Sequence, residues 1–145
     1  MTDRYATHLP VLHSMIRAVR PKTVLEFGAG FHSTPLFLED INLERIVSVE
    51  SSPEWRRKVA FFCDDQRLVL RADKRVVPEL YDLIFIDDGE SAAERASTIR
   101  FVLGGPHPPV VIHDAEVLDY ATAIDDLAIN YSIFPTDPDT AVVWA

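Results

Sequence analysis

The chain has 145 residues, enough for one domain that buries about 68–70% of its unfolded surface in a single core. With 14 basic and 23 acidic residues its formal net charge is −9, which disfavours contact with phosphate backbones and anionic lipid and so argues against nucleic-acid or membrane partners. The single cysteine, Cys63, cannot form an internal disulfide, and no signal-peptide or membrane-spanning pattern occurs, so we expect a cytoplasmic protein.

Predicted helices and strands alternate from residue 9 to residue 129. The predicted helices cover residues 9–20, 91–103 and 117–129, together with one segment that starts at Pro35 and one that starts at Ser52 and Pro53. Ser33 or Thr34 is the expected cap of the helix from Pro35, and Ser91 and Glu94 form a capping box at the start of 91–103. The predicted strands are TVLEF, RIVSVE, RLVLRA, YDLIFIDD and PVVIHDA. The helical residues expected in the core include Trp55, Val59, Phe62, Leu118, Ala121, Ile124 and either Leu127 or Ala128.

Two further β runs, YSIFPT and TAVVWA, are joined by a short Asp/Pro turn and predict an antiparallel hairpin at the end of the sequence. Strands separated by helices make right-handed parallel crossovers, and helices then cover both faces of the sheet. The sequence therefore predicts an α/β sheet whose last strand runs against the others, in a single domain over residues 1–145.

The most distinctive polar residues follow the predicted strands, at the edge where open α/β sheets bind ligands. Gly28 and Gly30 follow the first strand, where the absence of a side chain lets the backbone approach a ligand closely. Glu50 ends the second strand and is suited to bind a ribose diol through both carboxylate oxygens. The later strand ends supply Asp73, Asp87, Asp88, His113 and Asp114. Taken singly, each has the alternative of being a helix cap or a turn residue, but acids at successive strand ends indicate a binding site.

Two nucleoside cofactors compete for this site. A dinucleotide site requires G-x-G-x-x-G to seat pyrophosphate on a helix N-terminus, but Ser33 occupies the sixth position here, and Glu26 would repel the phosphates. S-adenosylmethionine carries an ammonium and a sulfonium and has no phosphate. The sequence therefore favours S-adenosylmethionine over NAD.

LEFGAG resembles the E/D-x-G-x-G signature of class I S-adenosylmethionine-dependent methyltransferases. VSVE is similar to the ribose-binding strand end of that family and RAD to its acid near the adenine amino group, while YDLIFIDDGE with VVIHDAE resembles the fourth and fifth strands of small-molecule O-methyltransferases. The resemblance covers the chain from residue 8 onward. It implies a Rossmann-like, doubly wound, mostly parallel seven-stranded sheet with a C-terminal antiparallel hairpin.

The resemblance also implies a set of cofactor-binding residues. They are Glu26, Gly28, Gly30 and Ser33 around the methionine moiety, Glu50 on the ribose hydroxyls, Ala72 and Asp73 on the adenine, and Asp87 near the methionine amino group and the reaction centre. Helix capping is the alternative role for Ser33.

The chain departs from metal-dependent relatives such as catechol O-methyltransferase, which have Asp-Asn after strand five. His113, Asp114 and Ala115 stand at that place here. We therefore predict no metal ion, and the alternative is a magnesium ion held by oxygens of Asp87, Asp114 and Asp88. No NPPY-type stretch follows strand four, which argues against methylation of nucleobase amines.

Methyl transfer from a sulfonium depends on positioning, and a general base helps when the acceptor is a hydroxyl or an ammonium. His113 is the candidate base because an ordinary histidine pKa of about 6.5 suits the task, with a ring that points into the core as the alternative. Asp114 would orient the base or bind the acceptor, and Asp87 completes the predicted catalytic set. Arg95 would pair with Asp88 or contact an anionic substrate.

These inferences predict an enzyme that methylates an oxygen or nitrogen atom of a small molecule or an exposed side chain. The first alternative is a non-catalytic, cofactor-binding or partner subunit with the same fold, because no segment is predicted to cover the substrate. A nucleotide-dependent oxidoreductase is the second alternative. It is disfavoured by the missing third glycine.

A homodimer is predicted from the last strand, because its apolar residue Trp144 lies near a sheet edge and would be buried against another chain. The N-terminal segment around Tyr5 and His8 would then close the cofactor site. The alternative is a monomer in which Trp144 packs on its own helices.

Overall fold

The computed structural model describes residues 3–89 and 91–145. Within these residues the helices are α1 Leu9–Val19, α2 Ser33–Leu38, α3 Pro53–Phe62, α4 Ala92–Leu103 and α5 Leu118–Leu127, with single 3-10 turns at Arg4–Ala6 and Pro78–Leu80. The strands are β1 Thr23–Phe27, β2 Arg45–Val49, β3 Leu68–Arg71, β4 Leu83–Ile86, β5 Val110–His113, β6 Asn130–Phe134 and β7 Thr140–Trp144. Each strand lies inside a predicted strand or extends beyond it by one residue, and the helices lie between the strands as predicted. The predicted order of elements is therefore confirmed.

The strands form one seven-stranded sheet in the order β3-β2-β1-β4-β5-β7-β6. The first five strands pair in parallel, and β7 pairs antiparallel with both β5 and β6. The α/β, mostly parallel sheet with an antiparallel C-terminal hairpin is therefore confirmed. The strand order reverses between β1 and β4, and a crevice forms beyond the carboxyl ends of strands at such a point.

Helices cover both faces of this sheet. On one face α1 and α2 pack on side chains such as Val24, Ile46 and Phe85, and Val59 of α3 contributes to a smaller apolar cluster beside them. On the other face, α4 and α5 pack on residues that include Ile84. Alternate residues of the central strands therefore enter opposite halves of the core, which explains their continuous apolar runs.

Two helical residues expected in the core are exposed instead. Leu118 is 78% exposed because the buried side of α5 carries Tyr120, Ala123 and Ile124. Phe62, the last residue of α3, is 60% exposed, and its ring packs against that of Phe31 at a centroid distance of 5.0 Å. No helix in the described ranges is long and apolar enough to span a bilayer.

Candidate functional site

Two clefts of similar size lie at the carboxyl edge of the sheet. The first, called the β1–β2 cleft, has a volume of about 430 Å³. Its lining residues are Gly28, Ala29, Val49, Glu50, Ser51, Ser52, Trp55, Ala72, Lys74, Asp87, Asp88, Gly89 and Glu94. Four carboxylates and one lysine thus face this space, and such an environment favours a cationic ligand over a phosphorylated one.

The second, called the β4–β5 cleft, has a volume of about 420 Å³. Its lining residues are Tyr5, His8, His32, Ser33, Asp87, Arg95, His113, Asp114 and Pro138. All three predicted catalytic residues are among them. Asp87 lines both clefts and is therefore the point at which they meet.

Of the two glycines after β1, Gly28 is packed tightly against the backbone that follows β4. Gly28 has a φ of +88°, and a Cβ there would lie 2.5 Å from the carbonyl oxygen of Asp87. Its amide donates to the carbonyl of Val49 at 2.8 Å, so this residue joins the ends of β1, β2 and β4. Gly30 lines neither cleft, and its amide donates to Thr34 Oγ1 at 3.1 Å.

Glu26 lies inside the protein, below the floor of the clefts. Its carboxylate is fully buried and accepts hydrogen bonds from Ser33, Thr34 and Ser48. Burial raises the pKa of Glu26 to about 7, against the opposing effect of the three hydroxyl donors. Neither Ser33 nor Thr34 therefore caps α2, whose cap residue His32 makes no side-chain cap bond.

Ser48 was not identified from the sequence, although it carried a signal. It is the polar residue inside the apolar run of β2, and it stands opposite Glu26 in the parallel register of β1 and β2. A hydroxyl in a fully buried strand requires a hydrogen-bond partner. The acid of the neighbouring strand provides one.

Glu50, which follows β2, lines the β1–β2 cleft. Its Oε1 accepts a hydrogen bond from the amide of Ser52 at 3.0 Å. The Ser52 hydroxyl in turn caps α3 by accepting from the Trp55 amide at 3.2 Å. Trp55, expected in the core, lines the cleft, and its ring N–H donates to the carbonyl of Ala29. The Glu50 carboxylate is thus held at the start of α3.

The end of β3 differs from the prediction because the Asp73 side chain does not line the β1–β2 cleft. Ala72 and Lys74 line the β1–β2 cleft, whereas Asp73 accepts from the Arg75 amide and from the Arg71 guanidinium. These bonds, the Arg75 amide foremost, hold the pKa of Asp73 below its usual range.

Asp88 makes its contacts on the side of the β1–β2 cleft, apart from Asp114. Its Oδ2 pairs with Lys74 at 2.8 Å and accepts from the Thr98 hydroxyl at 2.7 Å, while its buried Oδ1 has no hydrogen-bond partner among the described residues. Asp114 lines the β4–β5 cleft, and Asp87 lines both clefts. The structure therefore does not bring Asp87, Asp88 and Asp114 together as one set of oxygen ligands.

His113 connects the predicted catalytic residues. Its Nδ1 lies 3.1 Å from Asp87 Oδ1, and its Nε2 lies 3.2 Å from the Thr7 hydroxyl. Arg95 reaches Asp114 Oδ2 at 2.7 Å and Asp87 Oδ1 at 3.2 Å. The predicted ion pair between Arg95 and the Asp88 side chain is wrong, because the guanidinium meets only the backbone carbonyl of that residue.

His8 is a residue of this site that the sequence placed only at the N-terminal segment of a dimer. Its ring lies between those of Phe85 and His113, at centroid distances of 4.9 and 4.6 Å. The side chain is 1% exposed, and within the described part of the chain neither ring nitrogen has a hydrogen-bond partner. Burial lowers the pKa of His8 to about 4, so the imidazole is neutral at pH 7.

Comparison with solved structures identifies proteins of similar architecture. The methyltransferase domain of bacterial CtHen1-CN is 13% identical, with a TM-score of 0.74 over 99% of this chain and 100% of that one. The N-methyltransferase NodS from Bradyrhizobium japonicum WM9, in complex with S-adenosyl-L-homocysteine, is 16% identical, with a TM-score of 0.63 over 94% and 83%. Spermidine synthase from Thermotoga maritima is 13% identical, with a TM-score of 0.71 over 97% of this chain and 60% of that one.

No protein-family model and no curated protein sequence matches the chain. The likeness is therefore one of architecture, and it extends over nearly the whole chain. The sheet order and the antiparallel terminal hairpin agree with the expectation from the LEFGAG motif. This chain has the fold of the class I S-adenosylmethionine-dependent methyltransferases.

Proposed function

We propose that the protein transfers a methyl group from S-adenosylmethionine to an oxygen or nitrogen atom of a small molecule or an exposed side chain. The observation that carries this proposal is the meeting of two clefts at Asp87. The β1–β2 cleft would hold the cofactor and the β4–β5 cleft the acceptor. The methyl group would then pass from one cleft to the other beside the Asp87 carboxylate. Positioning of cofactor and acceptor supplies much of the rate acceleration in such a transfer.

The cofactor would lie along the ends of β1, β2 and β3. Glu50 would bind the ribose hydroxyls, and the loop of Gly28 and Gly30 would surround the methionine moiety, with Asp87 facing its ammonium. The buried Glu26 would support that loop from below, because Thr34 donates to Glu26 and accepts from the Gly30 amide. Ser33 also donates to Glu26.

The adenine would lie beside Ala72 and Lys74, which line the cleft. Asp73 remains a proposed partner for the adenine amino group, although its carboxylate is held by Arg71 and Arg75. Asp88 is a second candidate, because its Oδ1 is buried without a partner at the same cleft. An unpaired buried acceptor gains most from a ligand donor such as this amino group.

The acceptor would be activated by His113. With Nδ1 held on Asp87, Nε2 would give up its contact with the Thr7 hydroxyl and take the proton as the acceptor attacks the methyl carbon and the sulfur–carbon bond breaks. The sulfonium supplies the activated methyl group. Asp114 has a φ of +57°, an uncommon conformation for aspartate, and Arg95 fixes its carboxylate at the edge of the cleft.

Replacing Glu50 with alanine tests the cofactor site. We expect the wild-type chain to bind S-adenosylhomocysteine in about the micromolar range and not to bind NAD, because phosphates would meet four carboxylates in the β1–β2 cleft. Glu50→Ala should weaken S-adenosylhomocysteine binding by about 1.5–3 kcal/mol, the range for hydrogen bonds to a charged group. Isothermal titration calorimetry measures both ligands.

Glu44→Ala is the matched control, because Glu44 stands just before β2, as Glu50 stands just after it. Glu44 is exposed and pairs with Lys22 at 3.2 Å. The control should bind S-adenosylhomocysteine as tightly as the wild type. Equal binding by Glu50→Ala would place the ribose elsewhere, and binding of NAD alone would refute the proposal. Binding without turnover on any acceptor would favour a non-catalytic cofactor-binding subunit.

We also propose a homodimer. A groove of about 450 Å³ with an apolar lining runs between the start of α1 and the terminal hairpin, and Phe134 and Trp144 contribute to it. Trp144 is 41% exposed, and β6 is the edge strand of the sheet. An apolar edge of this kind favours burial against a second chain. Tyr5 and His8, however, line the β4–β5 cleft of their own chain.

Light scattering with cofactor present should report a particle of about twice the 16.4 kDa chain mass at micromolar concentration. Replacing Trp144 with glutamate should shift the particle toward the single-chain mass, because a charge would enter the apolar contact. A wild-type particle of 16.4 kDa would contradict the dimer.

A further inference from the structure

His8, Asp87 and His113 form a compact cluster of ligand-type side chains. One nitrogen of each imidazole and one carboxylate oxygen all lie within 4.8 Å of one another. His8 precedes α1, Asp87 follows β4, and His113 ends β5, so three separate parts of the fold supply the cluster. Both histidines are buried, and all three residues line the β4–β5 cleft.

The two nitrogens of His8 are the main reason to look for a ligand at this place. Each is buried, and neither meets a donor or an acceptor among the residues that the structure describes. An imidazole between two aromatic rings that makes no hydrogen bond is costly, and a phenylalanine of similar shape would avoid the cost. A ligand that accepts an electron pair from imidazole would use one of these nitrogens.

The charges around the cluster favour a cation. Asp87 and Asp114 contribute two negative charges, and the guanidinium of Arg95, which touches both carboxylates, contributes one positive charge. The two carboxylates and the guanidinium together therefore carry one net negative charge. Nη1 of Arg95 lies 2.7 Å from Asp114 Oδ2 and 3.2 Å from Asp87 Oδ1, so the guanidinium pairs more closely with Asp114 than with Asp87.

We propose that His8, Asp87 and His113 bind a divalent first-row transition-metal ion such as Mn²⁺, Co²⁺ or Zn²⁺. Two imidazoles and one carboxylate suit these ions, whereas Mg²⁺ and Ca²⁺ prefer oxygen ligands. Metal–ligand distances of about 2.0–2.2 Å require the three ligand atoms to move closer together than the 4.8 Å within which they now lie. With Nδ1 of His113 on the ion, its Nε2–H donates to the Thr7 hydroxyl and fixes the orientation of the ring.

This site does not depend on cofactor binding, but it changes the role of His113. An imidazole bound to an ion through one nitrogen and donating through the other cannot accept a proton from the methyl acceptor. In the loaded protein the ion would instead lower the pKa of an acceptor hydroxyl bound at an open coordination position. The metal therefore favours hydroxyl over amine acceptors at the β4–β5 cleft.

Cobalt titration of the chelator-treated full-length chain tests the site. Co²⁺ should bind at a single site with a visible d–d absorption band, and Zn²⁺ should displace it while Mg²⁺ should not. His8→Phe keeps an aromatic ring between Phe85 and His113 and removes both nitrogens. Loss of an outer hydrogen-bond partner already costs about 10–100-fold in metal affinity, so loss of this ligand should weaken Co²⁺ binding at least about 100-fold.

His13→Gln is the matched control, because His13 is an exposed histidine of α1 outside both clefts. It should bind Co²⁺ like the wild type. The metal-free melting temperature of His8→Phe should be equal to or above that of the wild type, which verifies that the variant folds. If it does not fold, Asp87→Asn provides the same test of ligand loss.

The proposal is overturned if the wild type shows no saturable Co²⁺ binding or if a folded ligand variant binds Co²⁺ as tightly as the wild type. S-adenosylhomocysteine binding is measured separately, with and without metal. Failure of that titration would count against the proposed function and leave the metal result intact.

Discussion

Gly28→Ala should destabilise the protein by about 2–6 kcal/mol. An alanine at a φ of +88° is strained by about 1–3 kcal/mol. Its Cβ would also lie 2.5 Å from the Asp87 carbonyl oxygen and 2.8 Å from the Asp88 Cα, and relief of this overlap adds about 1–3 kcal/mol. Because the neighbours are backbone atoms of β4's end, a side-chain rotation cannot provide the space.

Gly105→Ala is the control for this substitution, because a Cβ at Gly105 meets nothing within 4 Å. Its stability should stay within about 0.5 kcal/mol of the wild type. Urea unfolding gives both free energies. Gly28→Ala should additionally weaken S-adenosylhomocysteine binding, since displacement of Asp87 opens the wall shared by the two clefts. A Gly28→Ala protein as stable as Gly105→Ala would show that the ends of β1 and β4 separate at little cost.

The fold could be predicted largely from local signals. Buried parallel strands leave continuous apolar runs, and the serine caps at Ser52 and Ser91 mark two helix starts that the structure confirms. The errors lie at helix ends, where periodicity has few residues to fix its phase. Leu118 and Phe62 each occupy a terminal position of a helix, where an apolar side chain does not have to face the core.

The candidate site was predictable in position but not in detail. Parallel topology brings strand-end residues to one edge, so Glu50, Asp87 and His113 were expected to be neighbours, and they line the two adjoining clefts. The direction of a loop side chain depends on local hydrogen bonds, which turn Asp73 toward the Arg75 amide. His8 reaches the site because α1 packs on the sheet, and no spacing in the sequence connects it with β4 or β5.

The burial of Glu26 likewise follows from tertiary packing that the sequence motif does not show. Its place in the LEFGAG motif suggested direct contact with the cofactor, but β1 lies in the interior of the sheet, and the side chain is enclosed by three hydroxyls. Burial disfavours the charged form, and the hydroxyl donors only partly compensate. The protein therefore contains a buried acid that titrates close to neutral pH.

The pH dependence of Glu26 has a definite sign. Its pKa is about 7 in the folded state, against 4.5 for an ordinary glutamate side chain. The stabilisation from the protonated carboxyl is thus fully present below about pH 4.5 and is lost as the pH rises through about 7. At about 1.4 kcal/mol for each pKa unit, the wild type should lose about 3 kcal/mol from this group between pH 4.5 and pH 8.

Glu26→Gln removes the titration while it keeps the shape of the side chain and its capacity to accept from the hydroxyls. The difference in unfolding free energy between the variant and the wild type should therefore move in favour of the variant by about 2.5 kcal/mol between pH 5 and pH 8. Urea unfolding at several pH values measures this difference, and most other titrating groups cancel from it. The exposed Glu44→Gln is the control for loss of a surface carboxylate. A flat result for Glu26→Gln would mean that the three hydroxyls outweigh burial and that Glu26 is ionised throughout.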